Sequence, residues 1–129
     1  MLDQVRRDVV LAAIHRHCAL RGWNLLAAHV RSNHVHAIVE SETQPERILN
    51  EFKSYASREL NRLGVDSSER KRWARHGSTR WLWKDEDVRN ALQYVIDEQG
   101  ELMALFVANE IERHPQLSAP SRSRLGIEP

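Results

Sequence analysis

The chain has 129 residues, of which 41% are hydrophobic and 29% charged, and a formal net charge of +1. That length suits one domain with a two-layer core, and the balance is that of an ordinary globular protein. A single cysteine excludes an internal disulfide and fits a reducing, cytoplasmic setting; no apolar run approaches the roughly 20 residues of a membrane span, and no secretory leader opens the chain. The small net charge hides an asymmetry. Arg70 to Lys84 carries six Lys or Arg and no acid, whereas Asp85 to Glu112 carries eight acids against one Arg. Such a basic block predicts an anionic partner.

Residues 3–21 predict an amphipathic helix, with Val5, Val9, Val10, Ala13, Ile14 and Cys18 on its apolar stripe. Asp3 is the expected N-cap and Gly22 the expected stop. Cys18 lies on the stripe, which argues for a buried, inert thiol.

Residues 23–30 read as a strand, Arg31 to His34 as a turn, and His34 to Glu40 as the returning strand of a β-hairpin. If Ser32-Asn33 is a two-residue loop, Val30 faces Val35 and His29 faces His36. Leu26, Ala28 and Val30 then join Val35, Ala37 and Val39 on the core side. His34 and His36, two apart, leave the other face together. Two neutral imidazoles side by side make half of a metal site, although a surface or structural pair has the same spacing. His29 would neighbour His36 as a third ligand or as a group supporting the ligands, and a one-residue slip would remove it.

Thr43-Gln44-Pro45-Glu46 opens a second helix, with Thr43 as cap candidate and Ile48, Phe52, Tyr55, Leu60 and Leu63 as its core stripe. Tyr55 lies on that stripe and is a poor nucleophile candidate. Gly64 closes the helix, and a polar basic loop follows from Asp66 to Thr79. Arg80-Trp81-Leu82-Trp83-Lys84 alternates as a strand would, and its Trp rings suit either stacking on unpaired bases or burial in a core.

The last helix is expected from about Asp85 to Ala108, with Val88, Ala91, Leu92, Val95, Leu102 and Leu105 buried. Tyr94 stands off that stripe, on a flank shared with Asn90, Asp97, Glu98 and Glu101. Residues after Arg113 hold three of the four prolines and little that is apolar, so residues 1–113 read as the domain and 114–129 as a flexible tail.

With His34-Val35-His36 on a strand and Tyr94 on a late helix, the chain resembles the single-tyrosine HUH transposases of small insertion sequences, in particular the REP-associated tyrosine transposases. Five stretches carry the resemblance in order: Arg21-Gly22-Trp23; Val30 to His36; Phe52-Lys53-Ser54-Tyr55-Ala56; Trp73 to Trp83; and Gln93 to Gly100. The resemblance implies an α+β fold with a ferredoxin-like antiparallel sheet, helices on one face and the two His on the other. It implies Mg²⁺ or Mn²⁺ on His34 and His36, completed by a polar residue one turn after the tyrosine. Here that residue is Glu98, with Gln99 next to it. His29 and Asn33 would support the ligands from behind.

The implied chemistry is attack by the Tyr94 phenol on a phosphate of single-stranded or hairpin DNA, leaving a 5′-phosphotyrosine and a free 3′-OH that can later rejoin. Lys53, Arg58, Arg72, Arg75 and Arg80 are the expected phosphate contacts, with Trp81 stacking on bases. Two rival readings share these residues: a DNA-binding protein of the same fold that no longer recombines, and a metal-dependent hydrolase in which Tyr94 is structural. No membrane partner is expected.

The related fold begins with a strand that lies beside the one carrying the two His. Here the helical pattern starts by Asp3, so that strand is missing from its usual place. The His34–Glu40 strand would expose a row of unpaired N–H and C=O groups. The expectation is therefore a shortened form of the family, or a second copy covering the gap as a homodimer.

Overall fold

The computed structural model describes residues 2–65, 73, 77–97, 103–108 and 122–127. The elements run α1 (Gln4–Arg21), β1 (Asn24–Val30), β2 (Val35–Glu40), α2 (Pro45–Arg62), β3 (Ser78–Leu82), α3 (Asp85–Asp97), β4 (Ala104–Val107) and β5 (Arg122–Ile127). The α+β class holds, with a five-stranded sheet in the order β3-β5-β2-β1-β4 and every pairing antiparallel. No helix among the described residues is long and apolar enough to cross a membrane.

Local chemistry sets the helix ends. Asp3 accepts the Arg6 backbone N–H at 3.0 Å, and Gly22 closes α1 at φ 73°, where a side chain would be strained. Pro45 stands in the first turn of α2 as expected, but Thr43 is not its cap. The N-cap position falls on Gln44, and the Thr43 hydroxyl instead accepts the Trp23 indole N–H at 3.1 Å. Gly64, at φ 70°, follows α2, and the Val65 N–H reaches back to the Leu60 carbonyl at 3.0 Å.

The hairpin register follows from its short loop. The Arg31 N–H bonds the His34 carbonyl at 2.9 Å, and the ladder pairs Val30 with Val35 and His29 with His36. A bulge between Leu25 and Ala27 then shifts the pleat. Leu26 therefore leaves the face of Ala28 and Val30, and Leu25 takes the place that strict alternation assigns to Leu26.

The sheet has an apolar layer on each side. Ala28, Val30, Val35, Ala37, Val39 and Leu125 pack against α1 and α2 through Ile14, Cys18, Ile48, Phe52 and Leu60. Leu26, Ala27, Ile38 and Leu82 pack against Val88, Ala91, Leu92 and Val95 of α3 on the other side. The helices thus do not all lie on one face: α3 covers part of the face that bears His36. Cys18 is buried beneath α1, and burial pushes its thiol up to about 12, as an inert core residue requires.

Two expectations fail in the second half of the chain. The last helix, α3, covers Asp85–Asp97 among the described residues and does not reach Ala108, because Ala104–Val107 forms the strand β4 along β1. Leu105 is apolar at a helical step from α3, yet it is satisfied as the neighbour of His29 across the ladder. A short apolar run does not distinguish the two periods.

The tail prediction also fails for residues 122–127. They form β5, which pairs with β2 on one side and β3 on the other. Its alternation explains why: Ser123 and Leu125 are buried on the α2 side, while Arg122, Arg124 and Gly126 leave the opposite face. One strong hydrophobe in six residues, next to a proline-bearing stretch, gives little compositional signal. The edge of β2 expected to be open is paired with the chain's own β5.

A strand differs from a tail in what its side chains hold up. Leu125 is 1% exposed in the α2-side core. Leu125→Ala is expected to lower the unfolding free energy by about 2–5 kcal/mol in a denaturant titration, against under about 0.5 kcal/mol for a residue in a loose tail.

Candidate functional site

Three elements converge on the α3 side of the sheet. His34 stands at the entrance to β2 and His36 one pleat on, with ring centroids 4.7 Å apart and planes 51° from parallel. Both rings are half-buried. On α3, burial of Val88, Ala91, Leu92 and Val95 against the sheet turns the flanking Tyr94 toward β2, so that its ring lies 5.7 Å from that of His36. Fifty-eight positions of sequence separate these two rings, and the fold brings them together. On β5, the guanidinium carbon of Arg124 stands 4.3 Å from the Tyr94 ring centroid.

The electrostatics suit a ligand pair. Burial, followed by the fields of His34, Arg124, His29 and Arg31, depresses the His36 pKa to about 4. The imidazole is therefore neutral at pH 7, the state that coordinates metal.

Gly126 pairs with His36 across β2 and β5, where backbone, His36 ring and Ser78 hydroxyl come close together. A Cβ placed there would lie 3.5 Å from His36 Cδ2, 3.9 Å from its Nε2 and only 2.7 Å from Ser78 Oγ. Two imidazoles side by side on one face, with His36 held neutral, are a nitrogen donor set that fits a divalent ion. Among the described residues no set of three His, Cys, Asp or Glu gathers there, so the pair is half a site. Glu98 and Gln99, the expected completing donors, lie outside the described residues.

His29 is not the third ligand. Its Nδ1 lies 3.0 Å from the Val95 carbonyl oxygen, and the Met103 N–H lies 3.0 Å from its Nε2. A carbonyl only accepts and an amide N–H only donates, so the proton must be on Nδ1 and the Nε2 lone pair is taken. Burial, the dominant cause, depresses the His29 pKa and keeps this neutral tautomer in place. His29 thus fixes the backbone next to Tyr94. Asn33 is exposed at the tip of the hairpin.

The residues expected to contact DNA divide between the two faces. Arg80 pairs with Arg124 across β3 and β5 and shares the tyrosine's face. Lys53 and the exposed Arg58 belong to α2, behind the sheet. Trp81 alternates to the α2 side of β3 and stacks on the largely exposed Trp83 at 5.3 Å. Arg72 and Arg75 lie outside the described residues. Tyr55 also lies behind the sheet, against His17 at 4.7 Å, and is no rival to Tyr94 in this site. Sequence reading missed Arg124 and Gly126; the Arg122-x-Arg124-x-Gly126 alternation is the only local signal for them.

Calorimetric titration with Mn²⁺ should show binding by the unsubstituted chain and its loss in both His34→Ala and His36→Ala. His29→Ala is expected to keep weaker binding, because that ring only positions its neighbours.

The depressed His36 pKa also sets a pH dependence. An unfolded imidazole titrates near 6.5 and the folded one near 4, so the unfolded chain binds the extra proton between those values. Stability is expected to fall as pH drops from about 6.5 toward 4. His36→Gln should flatten part of that fall, with the remainder from His29 sharing its sign. Thermal melts at stepped pH check this.

In comparisons with known proteins, no curated protein and no solved structure matches the chain. The family described as "Transposase IS200 like" matches residues 1–98, a span that includes the His pair and Tyr94 and stops before β4 and β5. On that match, over three quarters of its length, this chain belongs to the IS200-like transposase family.

Proposed function

We propose that the chain cleaves and rejoins single-stranded DNA through a covalent bond to Tyr94, as the step that moves a DNA segment. The observation that carries this reading is the approach of the Tyr94 ring to His36, 5.7 Å between centroids, on the face where His34 also stands. A half-buried phenol beside a pair of imidazoles, with a cation over its ring, suits attack on a phosphodiester better than a structural role.

His34 and His36 would hold Mg²⁺ or Mn²⁺, with Glu98 or Gln99 as the proposed completing donor; Mn²⁺ suits imidazole better. The ion, when bound, supplies Lewis-acid polarisation of the phosphate. The chain's own groups perform the rest. The Tyr94 oxygen bonds to phosphorus as the bond from phosphorus to the 3′ oxygen breaks. The phenol gives up a proton and the departing 3′ oxygen gains one, so no water is consumed. The 5′-phosphotyrosine keeps the energy of the broken phosphodiester, and a later 3′-OH can reverse the step on a new strand. His29 holds the Val95 carbonyl and thereby keeps α3, and the phenol with it, in line. Arg80 on the same face is a proposed contact for flanking phosphates of single-stranded or hairpin DNA.

Incubation with single-stranded oligonucleotides and Mn²⁺, followed by denaturing electrophoresis, is the direct test. The unsubstituted chain is expected to form a denaturation-resistant protein–DNA adduct. Tyr94→Phe should abolish it while leaving thermal stability and DNA affinity within about twofold, because Tyr94 lies off the core stripe. An adduct that survives Tyr94→Phe and is lost in Tyr55→Phe would overturn the choice of nucleophile. A non-recombining DNA binder or a water-activating hydrolase forms no adduct at all.

A further inference from the structure

The strand that closes the sheet also enters the site. β5 places Arg124 two positions from Gly126, on the face of His36 and Tyr94, and it comes from beyond the family-matched span of residues 1–98. Arg122, on the same strand and face, is engaged elsewhere: its Nη1 lies 2.6 Å from Asp85 Oδ1. Arg124 differs. Among the described residues no carboxylate pairs with it, and it lies over the Tyr94 ring. Across the ladder stands a second arginine, Arg80, so the guanidinium is kept among like charges and imidazoles. A half-buried cation with no anion of its own is arranged for one that arrives.

We propose that Arg124 is a catalytic residue of the transposase site, which packs its planar face on the Tyr94 ring and takes the scissile phosphate on its N–H edge. The two contacts are compatible, because a guanidinium stacks through its plane and donates hydrogen bonds in it. The phosphate attacked by Tyr94 must lie against the phenol, within reach of a group that covers that ring. The same cation stands near His36 and so opposes a metal ion there. Arg124 thereby makes metal binding weak until a phosphate anion lies between the two charges. This inference rests on Tyr94 being the nucleophile.

The test uses the full chain, its Arg124→Gln and Arg124→Lys variants, single-stranded oligonucleotides and Mn²⁺. Circular dichroism verifies folding. Glutamine removes the charge; lysine keeps it but cannot stack flat and donate two parallel bonds. Both variants are expected to form the adduct at least about tenfold more slowly at saturating DNA. In calorimetry without DNA, Arg124→Gln should bind Mn²⁺ severalfold more tightly, and Arg124→Lys as the unsubstituted chain does. A role confined to holding the fold would not raise metal affinity. Adduct formation within twofold of the unsubstituted chain in either folded variant overturns the proposal, as does unchanged Mn²⁺ affinity in Arg124→Gln. If the glutamine variant does not fold, the lysine variant's capture rate decides alone. Absence of an adduct from the unsubstituted chain would instead sink the tyrosine reading, a result distinct from loss confined to the variants.

Discussion

The site depends on β2 being paired along both edges. A strand in the middle of a sheet has its backbone groups satisfied on both sides and its pleat fixed, so His36 points one way while Val35, Ala37 and Val39 point into the core. An unpaired edge would let β2 twist or slip, and a slip of one residue would bury His36 and expose its neighbours. Here the second edge is closed by β5, from the far end of the chain. That ladder joins residues about ninety positions apart, so the position of the two His is set only when the last strand has docked. Pairings this distant form late, after the local helices and the β1–β2 hairpin.

Legibility from sequence followed the range of the interactions. The hairpin could be read because two short-range constraints agreed: the two-residue loop Ser32-Asn33, and apolar alternation on both strands. Together they place His29 against His36. Asp3 and Gly22 were legible as caps because capping is a contest within one helical turn. The bulge at Leu25 was not, since its energetics lie in the sheet rather than in the residues that bulge. β5 was least legible of all. Arg122-Ser123-Arg124-Leu125-Gly126-Ile127 has little intrinsic preference for a strand, and it is held by the backbone groups of β2 and β3 and one buried leucine. The His pair and Tyr94 were legible as chemistry, but their approach to one another, with Arg124 beside them, depends on contacts across the whole chain.

The charge pattern of the site is one-sided. Arg124 and Arg80 oppose each other on neighbouring strands, and Arg124 stands near His36, whose imidazole is kept neutral by burial first and then by the charges around it, Arg124 among them. Like charges directly across a ladder weaken a sheet. Such a cost is common where a surface is arranged for an anion absent from the free chain. Arg122 sits two residues from Arg124 with the opposite solution, a bond to Asp85 that ties β5 to the start of α3. One arginine of the strand anchors it, and the other stays available.

His29 has a further consequence as a clasp on the polymer. Its ring bonds Val95 at one nitrogen and Met103 at the other, so residues 96–102 begin and end at a single buried imidazole. A segment of seven residues closed in this way has already lost the entropy of bringing its ends together. Glu98 and Gln99 belong to that segment. One proton on His29 is the latch of this closure, since its arrival at Nε2 would displace the Met103 N–H.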